Sequence, residues 1–401
     1  MKIERFLFIS VLILAVLSVS AAEAGADESA PALLASGHVD AAIRALDGQI
    51  SASPDDALAH NLLCRAYFAL GQWDRGISAC EKAVSLAPNN SQFHLWLGRI
   101  YGEKADKSGI FAAAGLAKRV LREFEAAVHL NPNSVDARTD LAEFYVEAPG
   151  IVGGGRDKAQ QQAETLARLD PGWAYWVNGR IAEKKKDFGS AERDYQKAVE
   201  ASHGRASAWL NLGLFYRHRE RWNEMEQALG HVRTAPLDRP DALVDAAEIL
   251  IHSDRNLPEA VRLLRAYLDS SAQVEQAPAF KAHFLLGTAI ERQGDKQNAA
   301  AEYRSALDLA REFQPAQEAM RRVNRYGAGN PAVALPKLAR VHPLSAKANS
   351  FSFASRREKV KVYENHVPVP PHNRIFAPSH GFGSLCRPAG TDRTIDPQAC
   401  R

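Results

Sequence analysis

The chain has 401 residues, 50 basic against 47 acidic, and a formal net charge of +3. That length exceeds what one compact core usually holds, and the balanced charge excludes a dedicated nucleic-acid binder, which shows a strong basic excess. Apolar residues at 46% and charged residues at 24% are ordinary for a soluble globular protein.

Residues 1–24 read as a separate segment. Lys2 and Arg5 precede an uncharged apolar run, 6–19, and the small residues Ser20-Ala21-Ala22-Glu23-Ala24 follow. A basic start, a short apolar core and a small-residue exit make a secretory signal. The run is short against the roughly 20 residues that a bilayer span needs; an uncleaved anchor is the alternative. Cleavage after Ala22 or Ala24 is expected, leaving an exported chain, periplasmic or secreted, without stable membrane insertion.

Residues 25–326 repeat. Leu63-Cys64-x-x-Tyr67 recurs 34 positions later as Leu97-Gly98-x-x-Tyr101, and again as Leu212-Gly213-x-x-Tyr216 and Leu286-Gly287-x-x-Ile290. Leu141-Ala142-x-x-Tyr145 and Asn178-Gly179-x-x-Ala182 are weaker copies. Each is followed by a second stretch with small and aromatic residues four and three apart: Gly76, Cys80, Ala83; Ala191, Tyr195, Ala198; Ala299, Tyr303, Ala306. Spacings of three and four hold these residues on one helix face. Small residues let two antiparallel helices approach, and large ones fill the wedge between them. Gly71 and Gly294 fall at the turn between helices, and Pro54, Pro88, Pro132 and Pro171 close the units.

These residues resemble the tetratricopeptide repeat family. The resemblance covers about three quarters of the chain and is best kept around His94, Gly98 and Tyr101 and around Trp209, Leu212, Gly213 and Tyr216. It implies an all-α solenoid of about eight helix pairs, starting near residues 23, 57, 91, 135, 172, 206, 241 and 280. A capping helix is expected over 315–325, because the end of a solenoid must be covered. The first unit is degenerate, with a first helix reduced to 31–34 and a second over 39–50. The third and fourth units exceed the 34-residue period through 104–117 and 147–160. Extra residues in repeats fall in loops on one face, so these two insertions should emerge at one edge and touch. In this they are similar to exported bacterial tetratricopeptide proteins whose activity is unknown.

The family also implies a groove lined by the first helices. Its positions here give Asn61, Arg65, Arg99, Trp173, Trp176 and Arg180, polar and basic in the N-terminal half, with Leu210, Leu214 and Phe284 farther on. Arg beside Trp is the composition of binding hot spots, and a protein or peptide guest with an acidic feature is expected.

Gly153-Gly154-Gly155 precedes a helix but lacks the Lys-Ser/Thr of a phosphate loop, since Arg156-Asp157 follows. It reads as a flexible loop. Lys184-Lys185-Lys186 reads as a solvated turn. His60, His94 and His283 recur at equivalent slots, which packing explains better than metal binding. No catalytic, cofactor or metal motif is present, and a non-enzymatic protein is expected. Four cysteines form two candidate pairs in an oxidising compartment. Cys386 and Cys400 are the favoured disulfide; Cys64 and Cys80 are the less favoured pair, because small buried cysteines are common in helix cores. The tail, 327–401, is Pro-rich and breaks the helical period, so irregular chain is expected. The reading is a binding scaffold, with an accessory or assembly subunit of an envelope enzyme or secretion complex as the alternative.

Overall fold

The computed structural model describes residues 29–327. The expected signal segment, most of the tail, and Cys386 and Cys400 lie outside them. Among the described residues there are seventeen α-helices, one 3-10 turn and no strand.

The helices form eight antiparallel pairs and a cap. In chain order they are α1 (Ala30–Ala35) and α2 (Val39–Ala52); α3 (Ala57–Leu70) and α4 (Trp73–Leu86); α5 (Ser91–Asp106) and α6 (Ile110–Leu130); and α7 (Val135–Glu147) and α8 (Arg156–Leu169). Then come α9 (Pro171–Lys184) and α10 (Phe188–Ala201); α11 (Ala206–His218) and α12 (Trp222–Val232); α13 (Ala242–His252) and α14 (Leu257–Leu268); α15 (Ala279–Arg292) and α16 (Lys296–Leu309); and the cap α17 (Gln314–Gly327). Each pair packs on the next, which is the one-dimensional arrangement of a solenoid.

The sequence sets the starts and stops. Asp56, Asn90, Ser134 and Asp170 accept hydrogen bonds from backbone N–H groups in the first turns of α3, α5, α7 and α9. Gly71 and Gly294 take left-handed φ of 72° and 95° at the turns inside their units. Lys186, Glu220 and Asp254 adopt the same conformation at equivalent turns, where a side chain is disfavoured.

Within each unit a small residue on the first helix receives a large one from the second. A Cβ added at Gly98 would stand 2.5 Å from the Phe124 ring, and at Gly287 2.7 Å from the Tyr303 ring. Gly179 faces Tyr195 and Gly213 faces Leu229 in the same way. The second unit breaks the pattern. Cys64 stands where the third, fifth, sixth and eighth units have Gly and Cys80 where they have the large residue, and the two form a disulfide with a Cα–Cα distance of 5.2 Å. Both cysteines are fully buried. Neighbouring units are tied by a recurring bond: Tyr101, Tyr145 and Tyr216 donate to Glu81, Glu125 and Glu192 on the preceding second helix.

Two features depart from expectation. The third unit's extra residues form helix rather than loop, because they lengthen both partners and make α6 a 21-residue helix. The fourth unit's extra residues form the 3-10 turn Gly150–Val152, and Gly153 lies against the Leu121 side chain of α6. The fourth unit's insertion thus packs on the helix that the third unit's insertion lengthens, at a residue beyond 104–117.

The other departure is that the array's ends meet. Gly37, at φ 82°, packs on Ala279, where an added Cβ would lie 2.5 Å from the amide nitrogen. The Arg311 N–H donates to Asp40, and Gln72 and Arg75 both donate to Glu312. Arg65 pairs with Glu275, which lies between α14 and α15. Combining Glu275→Arg with Glu312→Arg should part the ends. The radius of gyration from small-angle scattering should rise while helix content by circular dichroism holds. An unchanged scattering curve would show that these contacts do not hold the ends.

Candidate functional site

The inner face is built by the first helices, and its second unit begins with Asn61 and Arg65 on one face of α3. Asn61 is 1% exposed and Arg99 on α5 is 3% exposed, so these polar side chains lie inside the array. The Arg65 and Arg99 guanidinium carbons sit 5.1 and 5.2 Å from the centre of the Trp96 ring. The indole face thus holds two cations from adjacent helices. Arg65 then meets Glu275, and Arg99 donates to Asp140 of α7 at 2.6 Å. Burial pushes the Asp140 carboxyl up, opposed by Arg99 and, more weakly, by the charge of Arg239.

Arg180 on α9 is held by three carboxylates. It donates to Glu143 through Nε and Nη2, to Glu147 at 2.9 Å and to Glu183 at 2.8 Å. Burial pushes the Glu143 carboxyl up even so. Trp173 is 4% exposed and packs edge-on against the half-buried Trp176, with ring centroids 5.4 Å apart.

All six expected groove residues thus fall on first helices, but their electrostatics differ from expectation. The basic N-terminal half is neutralised, because each of the three arginines has a carboxylate partner. Position in a repeat fixes the direction of a side chain; it does not reveal what the next unit sets opposite it. Trp96 was missed because it lies outside the groove positions. Its place three residues before Arg99, on one helix face, was the available signal. Glu275 and Arg239 were missed because they come from linkers. The 6-to-7 linker is fixed by Asp238, which accepts from Ser207 at 2.5 Å, and buries Arg239 at 2% exposure. The 7-to-8 linker wraps on Tyr267, whose hydroxyl donates to the Ala277 carbonyl and accepts from the Val274 N–H.

Three buried nitrogen atoms on this face have no acceptor among the described residues: Asn61 Nδ2, Arg65 Nε and Arg99 Nη2. All are N–H donors and all lie in the N-terminal half.

The histidines serve packing. His60 and His94 each bond the carbonyl of the proline that closes the preceding unit, and Arg138 does so in the fourth unit. His94 also meets Glu123 at 2.7 Å. That hydrogen bond raises the imidazole above its ordinary 6.5, while burial opposes it. A raised imidazole stabilises the fold fully below the unfolded value, and the gain is lost as pH rises through the folded one. Stability should therefore fall as pH rises past the ordinary imidazole value of 6.5 and through the higher folded one, and His94→Gln should flatten that fall. A urea midpoint with the same pH slope in both proteins would refute the assignment. Among the described residues no group of three or more His, Cys, Asp or Glu is arranged to hold a metal ion.

Two family models described as tetratricopeptide repeat match the chain, one over residues 33–100 and one over 177–242 and 253–314. No curated protein matches it in sequence. Among solved structures it is similar to MamA, at 24% identity and a TM-score of 0.34, over 41% of this chain and 89% of that one. It is also similar to yeast Tom70, at 15% identity and 0.44, over 72% of this chain and 58% of that one. A third is YrrB, described as a TPR protein with an unusual peptide-binding site, at 16% identity and 0.32, over 49% of this chain and 97% of that one.

Proposed function

The chain belongs to the tetratricopeptide-repeat family, and from that premise we propose that it is a non-catalytic scaffold holding a protein or peptide along its inner face in an exported compartment. The observation that carries this reading is the set of part-exposed side chains Arg65, Trp176 and Arg180 on the first helices. Arginine beside tryptophan is the composition of binding hot spots, and a peptide with an acidic feature suits it. Export is supported by the signal-like residues 1–24 and by the Cys64–Cys80 disulfide, a bond that persists in oxidising compartments.

Cross-linking pulldown from the envelope fraction tests the groove. Arg65→Gln removes a part-exposed cation, and Trp176→Ala removes contact area. Partners captured by the wild type should be lost from the double variant. Partners that survive both changes would sink the inner-face reading. N-terminal sequencing tests export: the mature chain should begin after Ala22 or Ala24, and a cytoplasmic chain with residues 1–24 intact would refute it.

A further inference from the structure

One edge of the array has a chemistry that the inner face does not use. The turns inside the third, fourth and fifth units all emerge on that edge, because each joins a first helix to its second. Ile110 is 79% exposed, Phe111 95% and Ile151 88%. Single exposed apolar residues are ordinary on a soluble protein, but three large ones so fully exposed on one edge mark an interaction surface. None lines a concavity: Ile110 and Phe111 begin the extended α6, and Ile151 lies in the 3-10 turn.

The same turns are basic. Over residues 106–119, 148–158 and 184–188 the exposed charges are eight cations and two carboxylates, Asp157 and Asp187. Arg119 pairs with Glu81 and Lys184 with Glu147. Lys118, Arg156, Lys185 and Lys186 are among the remaining six. Asp106, the other carboxylate of these turns, is mostly buried, and burial pushes it up to about 7. The whole chain carries only +3, so positive charge is concentrated here.

We propose that this edge rests on an anionic bilayer surface, with Ile110, Phe111 and Ile151 entering the headgroup layer and the turn cations meeting lipid phosphates. The proposal is independent of the groove. Protruding apolar tips flanked by lysine and arginine suit a surface that yields to them. A rigid acidic protein would have to offer a separate pocket for each tip. Among the described residues no helix is long and apolar enough to cross a membrane, so the contact is peripheral.

The test uses the chain from Gly25 onward, so that the apolar run at 6–19 contributes nothing. The helices described begin at Ala30, beyond the removed segment. Vesicles of phosphatidylcholine, with or without roughly one third phosphatidylglycerol, are sedimented with the protein. Binding should be confined to the anionic vesicles and weaken with salt. Phe111→Asp should lower affinity about tenfold or more, with an unchanged circular dichroism spectrum, since that ring is almost wholly exposed. Lys185→Glu with Lys186→Glu should cost about fivefold per position. Equal binding to both vesicle types, or wild-type binding by Phe111→Asp, would overturn the proposal. So would retention in the supernatant with both vesicles, which leaves an acidic protein as the occupant.

Discussion

Asp140→Ala should destabilise the array by about 3–5 kcal/mol, because it strands a buried cation. Arg99 and Asp140 are 4% and 1% exposed at their side chains and meet at 2.6 Å between the third and fourth units. Removing the carboxylate leaves the Arg99 guanidinium with no acceptor, and the charge of Arg239 also acts on that spot. The pair itself contributes much less than its breakage costs. Burial raises the Asp140 carboxyl despite two cations, so ionisation there is offset rather than rewarded. Replacing both members, as Arg99→Met with Asp140→Leu, should recover most of the loss and can exceed the wild type by about 1–4 kcal/mol. Urea unfolding followed by tryptophan fluorescence reads this, since Trp96 lies against Arg99. A single-variant loss below about 1 kcal/mol would mean that water reaches the site and the pair behaves as a surface one. The result also limits tests of the groove, because a change at Arg99 disturbs the fold as well as any guest.

Reducing the Cys64–Cys80 disulfide should cost about 3 kcal/mol, the loop-closure value for a bridge that spans about 15 residues. The sequence separation here is 16. Cys64→Ala with Cys80→Ala should lose at least as much, since the pair also fills the space between α3 and α4. The other units show how the same space is filled without a bond. Cys64→Gly with Cys80→Tyr would copy Gly179 with Tyr195 and Gly287 with Tyr303, and should recover part of the loss. Thermal melts with and without dithiothreitol separate the two contributions. Reductant should lower the wild-type midpoint and leave the Gly–Tyr variant unmoved. A wild-type midpoint indifferent to reductant would mean that the bond is not formed.

The solenoid was legible in the sequence because its information is local. Leu97-Gly98-x-x-Tyr101 and its copies put small and large residues on one helix face, and that spacing alone fixes the pair, its turn and its period. The starts of the second to eighth units, the cap at Gln314–Gly327 and the placement of groove residues on first helices all follow from it. The cysteine pair carried a signal too. Cys64 and Cys80 align with the Gly and Tyr slots of other units, and residues that touch in one unit touch in all. Only the tertiary structure decided what faces what across units. Arg65 and Glu275 are 210 residues apart, and no period relates them. Their contact depends on the accumulated turn of every unit between, as does the meeting of Gly37 with Ala279. Small rotations per repeat add up to closure or to an open spiral, and a repeat motif does not encode their sum. For the same reason the inner face read as basic from its positions, whereas folding sets a carboxylate against each of its three arginines.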